Sequence, residues 1–420
     1  MRLTRALLGQ AGVALAGLLE FSGPADETLS RFFRSHRALG RQERAFIAEA
    51  VFAVLRRKRS LEAAAGTTQP RALLLAALLR VQGFSARSLE EALQRGDEEL
   101  ITHIKGARGD AWPPAVRADL PDWLWDRLAK AQGEGSAMRI AQSLLNAAPL
   151  DLRVNLARTT RESALERLAA DGLDGQATPY SPAGIRLPGK PAINRHPLFA
   201  EGLVEVQDEG SQLLAWLVGP RRGEMVADYC AGAGGKTLAI AMLMRGSGRV
   251  YAMDLSAKRL AALGPRASRA GVTSIHPIVL SGESDARVKR LAGKLDRVLV
   301  DAPCSGFGTL RRNPDLKWRH GATAIEELAR KQARILDAAA PLVKPGGRIV
   351  YATCSILHEE NEAVVDAFAA RHPQFKELSC EELLRSQRIP IDCGPRLRLW
   401  PHVHGTDGFF AAAFTRNLGS

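Results

Sequence analysis

Five short apolar runs dictate the architecture of the second half of this chain: residues 225–229, 249–254, 275–279, 297–301 and 348–353, separated by helix-patterned sequence. Strands that alternate with helices are joined by crossovers, which set the strands parallel in a doubly wound α/β sheet of Rossmann-like type. In such sheets ligands bind outside the carboxyl ends of the strands. The residues that terminate these runs are therefore the ones to read for chemistry. Run 297–301 leads into Asp301-Ala302-Pro303-Cys304-Ser305-Gly306, and run 348–353 into Cys354-Ser355. Either thiol alone reads as a core cysteine. Two thiols that both close buried strands share one cleft.

The first half is patterned differently. From Leu3 to about Ala147 apolar residues recur at helical spacing, over 45–55, 72–81 and 123–128 among others, with Gly, Pro and polar breaks between them. This predicts an all-α bundle over residues 1–147. Its opening stretch, Arg5 to Leu19, imitates a secretory signal. Gln10 interrupts the apolar run, however, and Leu7, Leu8, Ala11, Leu15, Leu18 and Leu19 fall on one helical face, so an amphipathic core helix is the better reading. Residues 148–200 read as a small α+β linking subdomain, with a strand at 150–155, a helix at 162–170 and short strands within 177–187. Five prolines between Thr178 and Pro197 mark the approach to the last domain, residues 201–420.

At 420 residues the chain is too long for one ordinary domain. No apolar run reaches the ~18 residues a membrane span needs. Five scattered cysteines without a CxxC pair argue against a disulfide framework or a structural zinc site, and for the reducing cytoplasm. His402 and His404 have no third ligand near them in sequence, and no metal is expected. A net charge of +13 points to a polyanionic partner, because Lys and Arg gain affinity for phosphates by releasing counterions. RNA is the expected partner of a monomer. The basic residues concentrate at Arg56-Arg57-Lys58-Arg59 and at Arg311-Arg312 with Lys317-Trp318-Arg319. A solvated helix end explains the first cluster as well as RNA does. Trp318 is the aromatic best set for stacking on a base, whereas Trp112, Trp123 and Trp125 read as core.

Between the first two runs lies Asp228-Tyr229-Cys230-Ala231-Gly232-Ala233-Gly234-Gly235-Lys236-Thr237. A phosphate-binding loop would need Gly where Cys230 stands, and a dinucleotide fingerprint would need G-x-G-x-x-G where this chain has G-x-G-G. The remaining reading is an S-adenosylmethionine loop, whose glycines let the backbone approach the ligand closely. Asp254, at the end of the next run, supports it as a carboxylate able to accept both ribose hydroxyls. Paired thiols fit such a cofactor. Carbon 5 of a pyrimidine is too weakly nucleophilic to take a methyl group unaided. A thiolate that adds to carbon 6 makes it enamine-like, and a second thiol can assist loss of the carbon 5 proton and expulsion of the first.

At these residues the chain resembles the RNA cytosine carbon-5 methyltransferase family, the group of bacterial ribosomal RNA methyltransferase B and the Sun-type enzymes. The resemblance runs through most of 203–414. It includes Val206-Gln207-Asp208-Glu209-Gly210-Ser211-Gln212, the loop above, Asp301 to Gly306, Arg311 to Trp318, Thr353-Cys354-Ser355 and Gly405-Thr406-Asp407-Gly408-Phe409-Phe410. The helical first part is similar by pattern to the RNA-binding domain related to the NusB antitermination factor. The resemblance implies Cys354 as nucleophile on carbon 6 and Cys304 as the thiol that assists release. It implies Asp301 as the group that holds the flipped cytosine near the transferring methyl, and Lys236 as an active-site cation. Cys230, Ala231, Gly232, Ala233, Gly234, Gly235, Lys236, Asp254 and Asp301 would bind S-adenosylmethionine. The substrate it implies is 16S ribosomal RNA. Transfer RNA with the same chemistry, or a non-catalytic RNA-binding assembly factor of the same fold, are the alternatives; a factor that only binds has no need of two thiols. Ala233 stands where the family often has Pro. The Asp that usually meets the adenine end falls near Gly282, where Glu283 or Asp285 would have to substitute.

Overall fold

The computed structural model describes residues 3–282 and 285–418. The chain forms two compact units, one of Met1–Ala147 with Thr309–Ala322 and the other of Ala148–Gly308 with Thr323–Ser420.

The regular structure described in the first unit is helical. Its opening helix, Arg5–Leu19, is capped by the Thr4 hydroxyl and buries Leu7, Leu8, Ala11, Ala14, Leu15 and Leu18, the face read from the sequence with Leu19 only half-buried. Helices Ala25–Ser35, Arg41–Arg56, Lys58–Ala65 and Pro70–Arg80 follow. Residues 72–78 are buried without a break, so helix Pro70–Arg80 is the centre of the bundle rather than one of its faces. Gly66, at φ +66°, ends the helix before it in the left-handed conformation that a side chain would resist. Of the three tryptophans read as core, only Trp125 is fully buried; Trp112 and Trp123 are half-buried beneath Arg80 and Arg127.

Segment 309–322 completes this unit, and its residues meet the first basic cluster, for which the sequence left a solvated helix end and an RNA contact equally open. The Trp318 indole N–H donates to the Leu55 carbonyl at 2.8 Å, and the Lys317 ammonium donates to the Arg56 carbonyl at 2.8 Å. These carbonyls lie in the last turn of helix Arg41–Arg56, where no intrahelical donor remains for them. Arg56 in turn donates to the Arg311 carbonyl, Arg59 binds Asp122, and Lys58 pairs with Glu62 and sits over the Trp318 ring. Sequence proximity made each cluster look like an outward patch. Arg56 and Lys58 of the first meet Arg311 and Trp318 of the second, and Lys317 bonds back to Arg56.

The second unit holds two sheets. Strands β1 (Leu150–Val154), β2 (Gln176–Ala177), β3 (Gly184–Leu187) and β4 (Val204–Val206) form an antiparallel sheet in the order β2-β3-β1-β4. The larger sheet contains β5 (Met225–Asp228), β6 (Arg249–Asp254), β7 (Ile275–Val279), β8 (Leu295–Asp301), β9 (Val343–Thr353), β10 (Phe375–Leu378), β11 (Leu397–Leu399) and β12 (Phe409–Arg416). Its order is β10-β12-β9-β8-β5-β6-β7, with β11 beside β12. The five runs read from the sequence are the five parallel strands β5–β9. β12 is antiparallel to β9. Strand order reverses between β5 and β8, and the crevice above that point is where an open α/β sheet binds ligands. Motif Gln207–Gln212 anchors the smaller sheet on this one. Gln212 donates to the Leu152 carbonyl, and the buried Glu209 carboxylate accepts from the N–H groups of Tyr180 and Ser181.

Candidate active site

Four strand ends around the β5/β8 switch, those of β5, β6, β8 and β9, build the site. β5 ends at the buried Asp228, whose carboxylate accepts from the Thr237 hydroxyl at 2.7 Å while its other oxygen has no hydrogen-bond partner. Burial pushes Asp228 up to about 7. The loop that follows turns at Gly232 and Gly234, both with positive φ (+56° and +83°). A Cβ on Gly234 would stand 2.2 Å from the Leu263 side chain, so glycine is required there twice over. The Gly232 N–H donates to Asp254 at 2.8 Å, and the Ala231 N–H to the Met253 carbonyl, so the loop and the end of β6 close on each other.

This cradle fits S-adenosylmethionine. The backbone is bare at the two glycines, and Asp254 accepts one backbone N–H on each oxygen, from Gly232 and Ser256, which leaves a carboxylate acceptor capacity for a diol. The adenine end is different. Asp285 accepts from the Ser281 N–H and hydroxyl and from the Arg287 N–H and guanidinium, which hold it well below the usual carboxylate range. Those bonds reach both oxygens, and Asp285 caps the short helix that follows. Glu283 lies outside the described residues.

Beside the loop, Lys236 in the first turn of helix Gly235–Leu243 reaches Asp301 at the end of β8, Nζ to Oδ2 2.7 Å. Burial pulls this ammonium down, but the Asp301 carboxylate outweighs it and the net shift is upward; the nearby Cys354 sulfur adds to the effect. Lys236 is thus a fixed positive charge at neutral pH.

β8 and β9 are parallel neighbours with Asp301 opposite Ala352, which brings the two following thiols together. Cys304 Sγ lies 3.4 Å from Cys354 Sγ. Its bond to the Cys354 sulfur, together with burial, raises the Cys304 thiol well above its ordinary value. Cys380 is wholly buried against β12 and Cys393 half-buried, as core thiols. The His404 Nδ1 accepts from the Trp400 N–H, and among the described residues no group of three His, Cys, Asp or Glu could hold a metal. No helix among them is long and apolar enough to cross a membrane.

Two supports of the site gave no sequence signal. Arg153, inside β1, is 4% exposed and donates to the Gly235 carbonyl at 2.8 Å and to Gln207, so the smaller sheet braces the cofactor loop. Glu360 lies beneath the thiols in a run, His358-Glu359-Glu360-Asn361-Glu362, that reads as a solvated helix start.

Residues 215–415 match a family model described as 16S rRNA methyltransferase RsmB/F, and residues 120–194 match a ferredoxin-like domain of Methyltr_RsmF/B-like proteins. The second match takes in helices Asp122–Gln132 and Glu134–Leu144 and starts before the linking subdomain read at 148–200. The chain is 36% identical over 303 residues to the probable ribosomal RNA small subunit methyltransferase B of Bacillus subtilis, covering 72% of this chain and 67% of that protein. It is 35% identical over 340 residues to the Synechocystis protein of the same name, covering 80% and 74%. A solved methyltransferase homolog from Pyrococcus horikoshii superposes with a TM-score of 0.62 at 30% identity, over 74% of this chain and 100% of that one. The chain therefore belongs to the small-subunit ribosomal RNA methyltransferase family, with S-adenosylmethionine as methyl donor and RNA as substrate.

Proposed function

We propose that this methyltransferase modifies carbon 5 of a cytosine in 16S ribosomal RNA through a covalent adduct between Cys354 and carbon 6. The observation that carries the reading is the pair of thiols 3.4 Å apart at the ends of adjacent strands. Transfer to an exocyclic nitrogen or a ribose oxygen has no use for such a pair. Carbon 5 needs one thiol to add and another to help it leave.

Bound S-adenosylmethionine supplies an electrophilic methyl group, and the Cys230–Lys236 loop, Asp254 and Asp301 would hold it. The cytosine must leave its stack to reach the strand ends. Asp301, with acceptor capacity beyond its one bond to Lys236, accepts from the amino edge and relays to the ring nitrogen the proton that the Cys354 thiol gives up as it adds. Lys236 offsets the charge of the Cys354 thiolate. Cys304 first hydrogen-bonds Cys354. Once Cys354 is committed to carbon 6, Cys304 is released to take the carbon 5 proton while passing its own to the departing Cys354 sulfur, and the returning electron pair expels Cys354. Residues 1–147, similar in pattern to the NusB factor, would recruit the RNA.

Cys354→Ala should abolish methylation and adduct formation together. Cys304→Ala should accumulate a protein–RNA complex that survives denaturing electrophoresis and carries the donor's labelled methyl, and the double variant should not. A trapped complex with Cys354→Ala instead would exchange the two roles. Full activity in both variants would remove the carbon-5 reading.

A further inference from the structure

We propose that Glu360, a fully buried carboxylate that no chemical step uses, is the positioning residue that locks the two thiol-bearing loops at their working separation. Each cysteine is followed by a serine, and both hydroxyls donate to the same carboxylate oxygen: Ser305 Oγ at 2.5 Å and Ser355 Oγ still closer. The other oxygen accepts from the Ser305 N–H at 2.8 Å and from the Gln332 side-chain amide at 2.9 Å. The same amide donates to the Pro303 carbonyl, so residues on both sides of Cys304 are held. Cys354 is flanked in the same manner. The neighbouring Asn361 donates to the Ser355 carbonyl and accepts from the Thr353 hydroxyl.

Glu360 bonds to both loops, alongside the direct Ser305–Ser355 hydroxyl contact at 3.2 Å and the bond from the Gly308 N–H to the Cys354 carbonyl at 2.8 Å. Its side chain is wholly buried, its four donors are neutral, and Tyr351 fixes its backbone through a 2.6 Å bond to its carbonyl. An unpaired carboxylate in such a place is costly to bury, and an apolar residue would be the simpler filler. What the carboxylate offers is several acceptor sites at one point, which lets two loops be tied by one side chain. Two sulfurs 3.4 Å apart sit on separate loops that backbone bonds join at Ala302 and Gly308, and the carboxylate adds a tie directly beside both thiols. The negative charge also helps keep Cys304 protonated.

The inference rests on the two-thiol reading, but its test does not. Phenylarsine oxide condenses with two thiols, releasing water, only when the sulfurs are held close. The full chain should capture it, and Cys304→Ala should show the background from the other cysteines. Glu360→Ala should lower capture at least tenfold while Cys354 still alkylates with iodoacetamide and S-adenosylmethionine affinity stays within a few-fold. Glu360→Gln can donate to both hydroxyls and accept at the other atom, and it should restore capture to within a few-fold of wild type. Should Glu360→Ala not fold, Ser355→Ala and Ser305→Ala each remove one strut, and both should weaken capture. Undiminished capture in folded Glu360→Ala would overturn the proposal, as would a Glu360→Gln variant as defective as Ala. Loss of methylation with intact capture would count against the carbon-5 reading and leave the clamp standing.

Discussion

Cys304 and Lys317 belong to one motif-rich stretch of chain, yet hydrogen bonding does opposite things for them. Around Cys304 and Cys354 the bonds run to flanking residues, to Ser305, Ser355 and Pro303, and leave the thiols partly exposed at the strand ends. Around Lys317 and Trp318 the polar groups are themselves consumed, as caps on the carbonyls of helix Arg41–Arg56. Lys317 is 2% exposed and burial pulls it down to about 7; Lys236 is also largely buried, but its carboxylate partner moves it the other way. A motif residue can therefore be functional because it is held open or structural because it is used up. Only the partner tells which.

Lys236→Met tests the open cluster hardest. It removes the charge facing the Cys354 thiolate and leaves Asp301 without its cation, and single-turnover methylation at saturating donor should fall by about 10²–10³-fold. Loss of less than a few-fold would make Lys236 structural. Trp318→Ala tests the closed cluster. The chain should lose about 2–3 kcal/mol against denaturant, somewhat less than a fully buried Trp, with S-adenosylmethionine affinity unchanged. A change in that affinity without loss of stability would blur the distinction. Asp254→Ala should weaken S-adenosylmethionine binding by about 1.5–3 kcal/mol in calorimetry, because hydrogen bonds to a charged group are lost. Equal affinity in a folded variant would detach Asp254 from the ribose.

The smallest effect is a pH slope. Lys317 titrates at about 7 in the folded chain and near its ordinary 10.5 when unfolded, so between those values the unfolded state carries the extra proton. Its destabilising contribution is complete below pH 7, and stability should rise as pH increases towards 10.5. In Lys317→Met that part of the slope should vanish. A slope unchanged by the substitution would mean that the ammonium is not confined as described.

The parallel strands were legible because each is a short β-branched run with a distinct terminus, and the site at their ends follows from that topology alone. β10–β12 were not read, since an antiparallel strand such as Phe409–Arg416, buried along most of its length, shows no alternation to distinguish it. Glu360 escaped for a related reason: its meaning lies in Ser305 and Gln332, which are distant from it in sequence. The contacts between the basic clusters were not legible because charge patterning records what a residue is and not what it meets. Arg153 looked like any strand arginine until Gly235 was placed beside it.

The helical unit is assembled from two pieces of chain, and that has a consequence during synthesis. Residues 1–147 leave the ribosome well before Lys317 and Trp318 exist, so the last turn of helix Arg41–Arg56 must wait with its Leu55 and Arg56 carbonyls turned to water. Closure of the unit is then a late, long-range event, governed by loop entropy and by how far folding of the intervening strands has gone. For the same reason the N-terminal half is not a detachable cassette. A cut after Ala147 takes away helices whose final caps are encoded on the far side of Cys304.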